Sequence, residues 1–498
     1  MNPRAAVAPV ACVAALVGLG VGAGMAQPRA GQVAAPRSGS APVESVTLVC
    51  PSVTGSVAGL VTTMSVADLG AALPGGSKPV SVTAVPLPSV AQNATPNTKP
   101  TLSAALAKPF PLTPAPVATV RKTAPFGGIA VVARGPGAAH VVADQIGLQG
   151  QGLGRASTDS ACLPPGGDWW FAGADGRVGF GAALLVANPT DTLANVAVTA
   201  WSASGVLRLA GLDALTVPPR STIGLRVARF APNAQDVALH VHALSGSVVA
   251  SITLRRIYGI LPGGGEWLPP AAAPATDFVV NGLAAGPGFR QVQIANPGNR
   301  DATVGLRVLT RTGDFEPAGH QSVVVPAGHT ADVDLSSALG EEPAAIVGTS
   351  DQPVIAEGRM TAHVRAQYDD SAWVPASAPM SGPAGLAANT PPFDQDAYLV
   401  LAAPRSTVRV RLSTPAGPSI VLNVPAGRVV QVDPAAVLHA KTLGALVFVP
   451  LDPGPVYAAR VLYAKGLHGP LISAEVPLVM PAPIPLPPVV EDPRAATR

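Results

Sequence analysis

His240 and His242 stand two residues apart in a run where Val237, Leu239 and Val241 alternate with them. On a strand, positions i and i+2 project from the same side, so two imidazoles there could face one metal ion. No third ligand is visible nearby, so the plain expectation is two solvent-facing histidines and no metal site. Glu341-Glu342 and Asp369-Asp370 are acidic pairs. Glycoside hydrolysis needs two carboxyls about 5–10 Å apart across a cleft. Adjacent residues beside turn-forming positions are expected instead to be solvated loop charge.

Trp169 and Trp170 are neighbours in Asp168-Trp-Trp-Phe171. Adjacent strand residues point to opposite faces, so one indole is expected in a core and the other outside it. An exposed indole could stack on a sugar ring or anchor a partner. The alternative is that it packs under the Cys162 loop or against the next domain. The chain contains no nucleophile elbow, His-Glu-x-x-His helix, cysteine pair at metal spacing or phosphate loop. No catalytic residue and no cofactor is therefore expected.

The elements that would carry these residues lie in a chain of 498 residues with a formal net charge of +3 and 12% charged residues. No Lys/Arg run exists, so a nucleic-acid partner is not expected. Residues 1–26 have a basic start at Arg4, an uncharged run from Ala5 to Met25 and small residues around Ala26. That pattern is a signal peptide or a membrane anchor, and both stay open. Residues 27–43 read as a linker. Cys50 and Cys162 are the cysteines beyond this segment. In an oxidising compartment they are expected to form one disulfide, with two buried thiols as the alternative.

Three copies of one motif organise the rest: Ala182–Pro189 (AALLVANP), Gln291–Pro297 (QVQIANP) and Tyr398–Pro404 (YLVLAAP). Each is an apolar run stopped by X-Pro, which reads as a strand with a fixed end. The copies lie 108 and 107 residues apart, counted between their prolines. Val217-Pro218 and Val325-Pro326 follow their X-Pro by 29 residues, and Val424-Pro425 follows by 21. Then come Val248-Val249-Ala250, Val354-Ile355-Ala356 and Val456-Tyr457-Ala458. Pro269, Pro375 and Pro477 stand 19 residues after those alanines. Trp267 and Trp373 precede two of those prolines and are expected to pack between domains.

Period-two alternation, as in Ala302, Val304, Leu306 and Val308, predicts half-buried strands. The fold class expected is all-β: tandem immunoglobulin-like β-sandwich repeats, in architecture only, after the N-terminal segment. The repeats are placed at 161–270, 271–380 and 390–480. Residues 44–160 read as a degenerate first copy with a Pro/Ala-rich insertion across 86–120, and 481–498 as a proline-rich tail. In that first copy Val49-Cys50-Pro51 echoes the X-Pro stop and Val131-Val132-Ala133 the later mark. Gly152 then stands where a proline is expected, which leaves a complete first sandwich in doubt.

The stretch Cys162-Leu-Pro-Pro-Gly-Gly-Asp-Trp-Trp-Phe-Ala-Gly173 and the stop Leu185-Val-Ala-Asn-Pro189 resemble an actinobacterial envelope family, known only as a domain of unknown function, number 5719. The resemblance covers most of 44–480. It implies a membrane-anchored or secreted protein and no assigned chemistry.

The function expected is a non-catalytic extracytoplasmic scaffold or interaction module, with an envelope protein or glycan as partner. The alternatives are a glycan-binding protein using Trp169 or Trp170, and an enzyme acting on envelope polysaccharide.

Overall fold

The computed structural model describes residues 37–51, 61–90, 110–111, 118–122, 127–362, 369–389, 395–441, 443–467 and 469–489. The leader or anchor expected at 1–26 and most of the insertion expected at 86–120 lie outside these residues. Among the described residues no helix is long and apolar enough to cross a membrane.

The protein is all-β. Within Val43–Ala482, one compact unit, the same eight-strand arrangement occurs four times. If the strands of each copy are numbered in chain order, with the two short pieces beside strand three of the second copy (Gly205–Leu207, Leu215–Val217) and of the third (Asp314–Phe315, Ser322–Val325) counted as one fourth strand, one sheet runs 1-6-3-4 and the other 8-7-2-5, and all these pairings are antiparallel. The second copy shows the pattern plainly. Asp168–Ala174 pairs with Val237–Ser245, which pairs with Ala194–Ser202. In its other sheet Leu261–Leu268, Val249–Tyr258, Ala183–Asn188 and Ser221–Arg226 lie in that order. Their inward-facing side chains, among them Phe171, Leu184, Val186, Val198, Leu239 and Ile252, form one core between the sheets. In the third copy strands six and seven are one run, Ala344–Ala362, that leaves one sheet and enters the other. Immunoglobulin domains pair their first two strands in one sheet. Here those two strands lie in different sheets, so the likeness stays at the level of two packed antiparallel sheets.

The X-Pro motifs are the second strands of copies two to four. The buried side chain of Asn188 explains the stop. Its Nδ2 donates to the carbonyls of Thr192 (2.7 Å) and Val217 (3.1 Å), and its Oδ1 accepts from the Thr190 N–H (2.9 Å). Asn296 repeats this on Arg300 (2.7 Å), Val325 (3.0 Å) and Gly298 (3.0 Å). The 29-residue spacing read from the sequence is therefore a hydrogen bond across the sandwich. The fourth copy has Ala403 at this place and a shorter connection to Ser419–Val424.

The first copy is topologically complete, which corrects the doubt raised by Gly152. Val131-Val132-Ala133 lies in strand six (Ile129–Arg134), whereas the corresponding marks in the other copies open strand seven. The true counterpart is Val141-Val142-Ala143 in Val141–Gln149, and 19 residues after Ala143 stands Cys162. Likewise Ser45–Cys50 is a first strand, not an echo of the second. The insertion falls between strands three and five, and its Ser89–Val90 adds in parallel to Ser221–Arg226 of the second copy. The fourth copy takes its first strand from Ala384–Leu386, upstream of the expected start at 390.

A second, smaller unit contains Arg37–Ala41 paired antiparallel with Ile484–Val489. The expected linker end and proline-rich tail are thus partners in a two-stranded ribbon. Prolines are tolerated there because an outer strand edge needs no donor.

Candidate functional site

The four closing strands, Ala156–Ala161, Leu261–Leu268, Asp370–Pro375 and Gly469–Glu475, pack around a common centre, each against the next and the last against the first. They belong to different sheets, so their inward N–H groups need other acceptors. Two buried carboxylates supply them. Glu266 accepts from the N–H groups of Asp159 (2.9 Å), Trp267 (2.8 Å) and Ala474 (3.3 Å). Asp370 accepts from Ser157 (3.0 Å), Gly265 (3.1 Å) and Ile472 (3.0 Å). Glu266 therefore joins three of the four strands, and Asp370 joins all four. Gly264, at φ +84°, lets Asp370 in: a Cβ there would sit 2.2 Å from its Oδ1. Burial pushes Asp370 up to about 7 and Glu266 well above the usual carboxylate range, against the N–H bonds that favour the charged forms.

Beside this hub Arg460, fully buried, joins the fourth copy to the first. Its guanidinium donates to Asp159 (2.8 Å) and Glu475, and Asp144 lies 3.7 Å away. Burial raises Asp144 to about 7 despite Arg460, and raises Glu475 well above its ordinary value. Arg155 extends the junction by donating to the Pro470 carbonyl at 2.8 Å.

Of the acidic pairs expected to be solvated, only one residue departs: Asp370 is the buried strand clip just described. Glu341 is exposed, and Glu342 pairs with Arg311 at 2.8 Å. Cys50 and Cys162 form the expected disulfide and tie the first strand of the first copy to the end of its closing strand. Pro269, Pro375 and Pro477 converge on one cavity of about 170 Å³, together with Pro51.

The tryptophans divide between faces. Trp169 is in the core of the second copy, and its ring N–H donates to the Val248 carbonyl at 3.1 Å. Trp170 is half-buried on the outer face. Its ring lies on His240 with centroids 3.7 Å apart and planes 7° from parallel, and Trp201 follows at 5.8 Å. Trp201 packs onto Ala295 and Ile355 of the third copy. Trp373 crosses between copies as expected and completes the second copy's core.

Strand register assembles more than the sequence showed. Asp168 pairs with His242 and Trp170 with His240. Asp168 Oδ1 consequently sits 2.8 Å from His240 Nε2 and 3.0 Å from His242 Nδ1. Side-chain exposure is 57% for Asp168, 18% for His240 and 48% for His242. The hydrogen bond to His240, then that to His242, holds the Asp168 carboxyl below its usual range. Burial lowers His240, partly offset by Asp168. The third donor that the local sequence does not show is Asp168, visible beforehand only as the residue preceding the Trp pair. Its donor oxygen and the two imidazole nitrogens all lie within 4.8 Å of one another.

The model of a family of unknown function, DUF5719, matches residues 117–435. The chain belongs to this family. The matched stretch begins inside the first sandwich and ends before strand six of the fourth, a narrower span than 44–480. It includes Asp168, His240, His242 and three of the four hub strands, and leaves out Arg460 and Glu475. No curated protein matches the chain. Among solved structures, Thermotoga maritima 1070 is 15% identical over 20% of this chain and 93% of its own, with a TM-score of 0.17. Anabaena sensory rhodopsin transducer is 22% identical over 18% and 97%, with a TM-score of 0.15. The major pilin subunit of Bacillus cereus is 10% identical over 63% and 97%, with a TM-score of 0.13. Scores this low add nothing to the fold described above.

Proposed function

We propose that this member of the family is a non-catalytic scaffold or interaction module of the cell envelope, working outside the cytoplasm and tied to the membrane by its N-terminal segment. The hub is the observation that carries the reading. Asp370, the one acid of the expected pairs that is buried, uses both oxygens on main-chain N–H groups, and Glu266 does the same. Acids used this way join four sandwiches into one body and present a fixed outer surface. The Cys50–Cys162 bridge agrees with an oxidising compartment.

Fractionation of the native host with in-cell crosslinking tests this. Recovery in the membrane or envelope fraction, crosslinked to an envelope protein, is the expected result, and recovery from the cytosol overturns it. Binding to purified cell-wall glycan that is lost in Trp170→Ala would favour a glycan-binding role instead. Release of sugar from that material would favour an enzyme. The glycan reading has to use the indole edge, because His240 covers one face of Trp170 and Trp201 flanks it.

A further inference from the structure

We propose that Asp168, His240 and His242 form a surface site for a divalent d-block cation, with Zn²⁺ as the representative ion. Two neutral imidazoles and one carboxylate are a donor set that zinc takes readily. They come from two paired strands, not from a loop, so main-chain hydrogen bonding fixes their spacing. Tetrahedral coordination at about 2.0–2.1 Å places neighbouring donors roughly 3.3 Å apart. Two of the three edges already measure 2.8 and 3.0 Å. Small side-chain rotations would replace both hydrogen bonds with metal bonds.

Trp170 and Trp201 back the site. Flat contact at 3.7 Å holds the His240 ring plane, the orienting part that groups beyond the ligands play in metal sites. On the open side, Asp168 and His242 are about half exposed, so an ion enters without unfolding anything. Three protein ligands leave at least one coordination position facing solvent. The site goes beyond the scaffold reading and does not depend on it.

The test uses the full chain, disulfide intact and stripped with EDTA. Titration calorimetry should show one equivalent of Zn²⁺ bound. Co²⁺ should give d–d absorption bands, and Cu²⁺ should quench tryptophan emission, with most of the quenching removed by Trp170→Phe. His242→Ala should weaken Zn²⁺ binding at least tenfold while leaving circular dichroism and melting unchanged. His242→Asn separates the two readings of the cluster, because an amide can still donate to Asp168 but is a poor zinc ligand. The proposal expects His242→Asn to lose the metal and keep the melting temperature. No saturable Zn²⁺ binding, or binding of equal affinity in wild type and His242→Asn, would overturn it.

Discussion

The indole of Trp373 lies directly on the Cα of Gly173, although the two residues belong to different sandwiches. A Cβ at position 173 would come within 2.4 Å of the ring, and the residue holds φ +130°. Trp373 is 3% exposed and counts in the core of the second copy, not its own. The interface is therefore packed like an interior.

Gly173→Ala combines an unfavourable backbone conformation with a clash against a buried ring. It should destabilise the fold by roughly 2–4 kcal/mol. Trp373→Ala leaves a cavity instead and should cost about 3–5 kcal/mol. Chemical denaturation measures both. A change under about 0.5 kcal/mol, the size typical of surface sites, would show that this contact is not formed.

Asn188→Ala removes the side chain that satisfies two carbonyls and an N–H, at a cost of roughly 2–3 kcal/mol. Asn296→Ala should behave alike, since its partners are the same by position. Replacing Asn188 with Asp keeps the acceptor and loses the donor. The second carboxylate oxygen would then face the Thr192 and Val217 carbonyls at a buried position, so in equilibrium unfolding Asn188→Asp should be at least as destabilised as Asn188→Ala.

The buried carboxyls set a pH dependence of unusual sign. Asp370 and Asp144 are raised to about 7 by burial, and Glu266, Glu475 and Glu357, a buried acid that accepts from the Ala172 N–H at 2.9 Å, are raised as well. The folded chain then holds protons that the unfolded chain releases above about pH 4. Their contribution is fully present below the unfolded values and is lost as pH rises through about 7. The melting temperature should fall from pH 5 to pH 7.5, and Asp370→Asn should flatten that slope. Stability rising over this interval would contradict the assignment. Surface acids paired with arginine, such as Asp452, which Arg409 lowers to about 2, act with the opposite sign but below this window.

Breaking the Cys50–Cys162 bridge opens a loop of 112 residues. In the chain-entropy model that removes about 4–5 kcal/mol. Reduction, or Cys50→Ser with Cys162→Ser, should expose the first sandwich to protease before the other three. Non-reducing peptide mapping should recover one linked pair.

Much of the fold was legible because local rules fix it. Period-two runs such as Ala302–Val308 became strands, and the 108-residue step between Asn-Pro stops became one sandwich to the next. The first copy was misaligned because Val-Val-Ala occurs twice there, in strand six and in strand seven, and the chain text does not say which is which. The hub was invisible for a different reason. Glu266 and Asp370 meet strands of other copies through main-chain N–H groups, which leave no residue-type signature. Asp168 was in view only as the residue before the Trp pair, because its neighbourhood with His240 and His242 depends on pairing of strands one and six, 72 and 74 residues apart.

Arg460 and Asp159 lie 301 residues apart in the chain. At roughly 5–20 residues per second, a ribosome delivers the cation about 15–60 s after its counter-ion. During that interval the first sandwich carries acids whose final partner does not yet exist. A nascent chain stalled before Arg460 would therefore keep these acids wet and its first sandwich loosely docked. The ring of four closing strands is complete only after Gly469–Glu475 has followed Arg460 out of the ribosome.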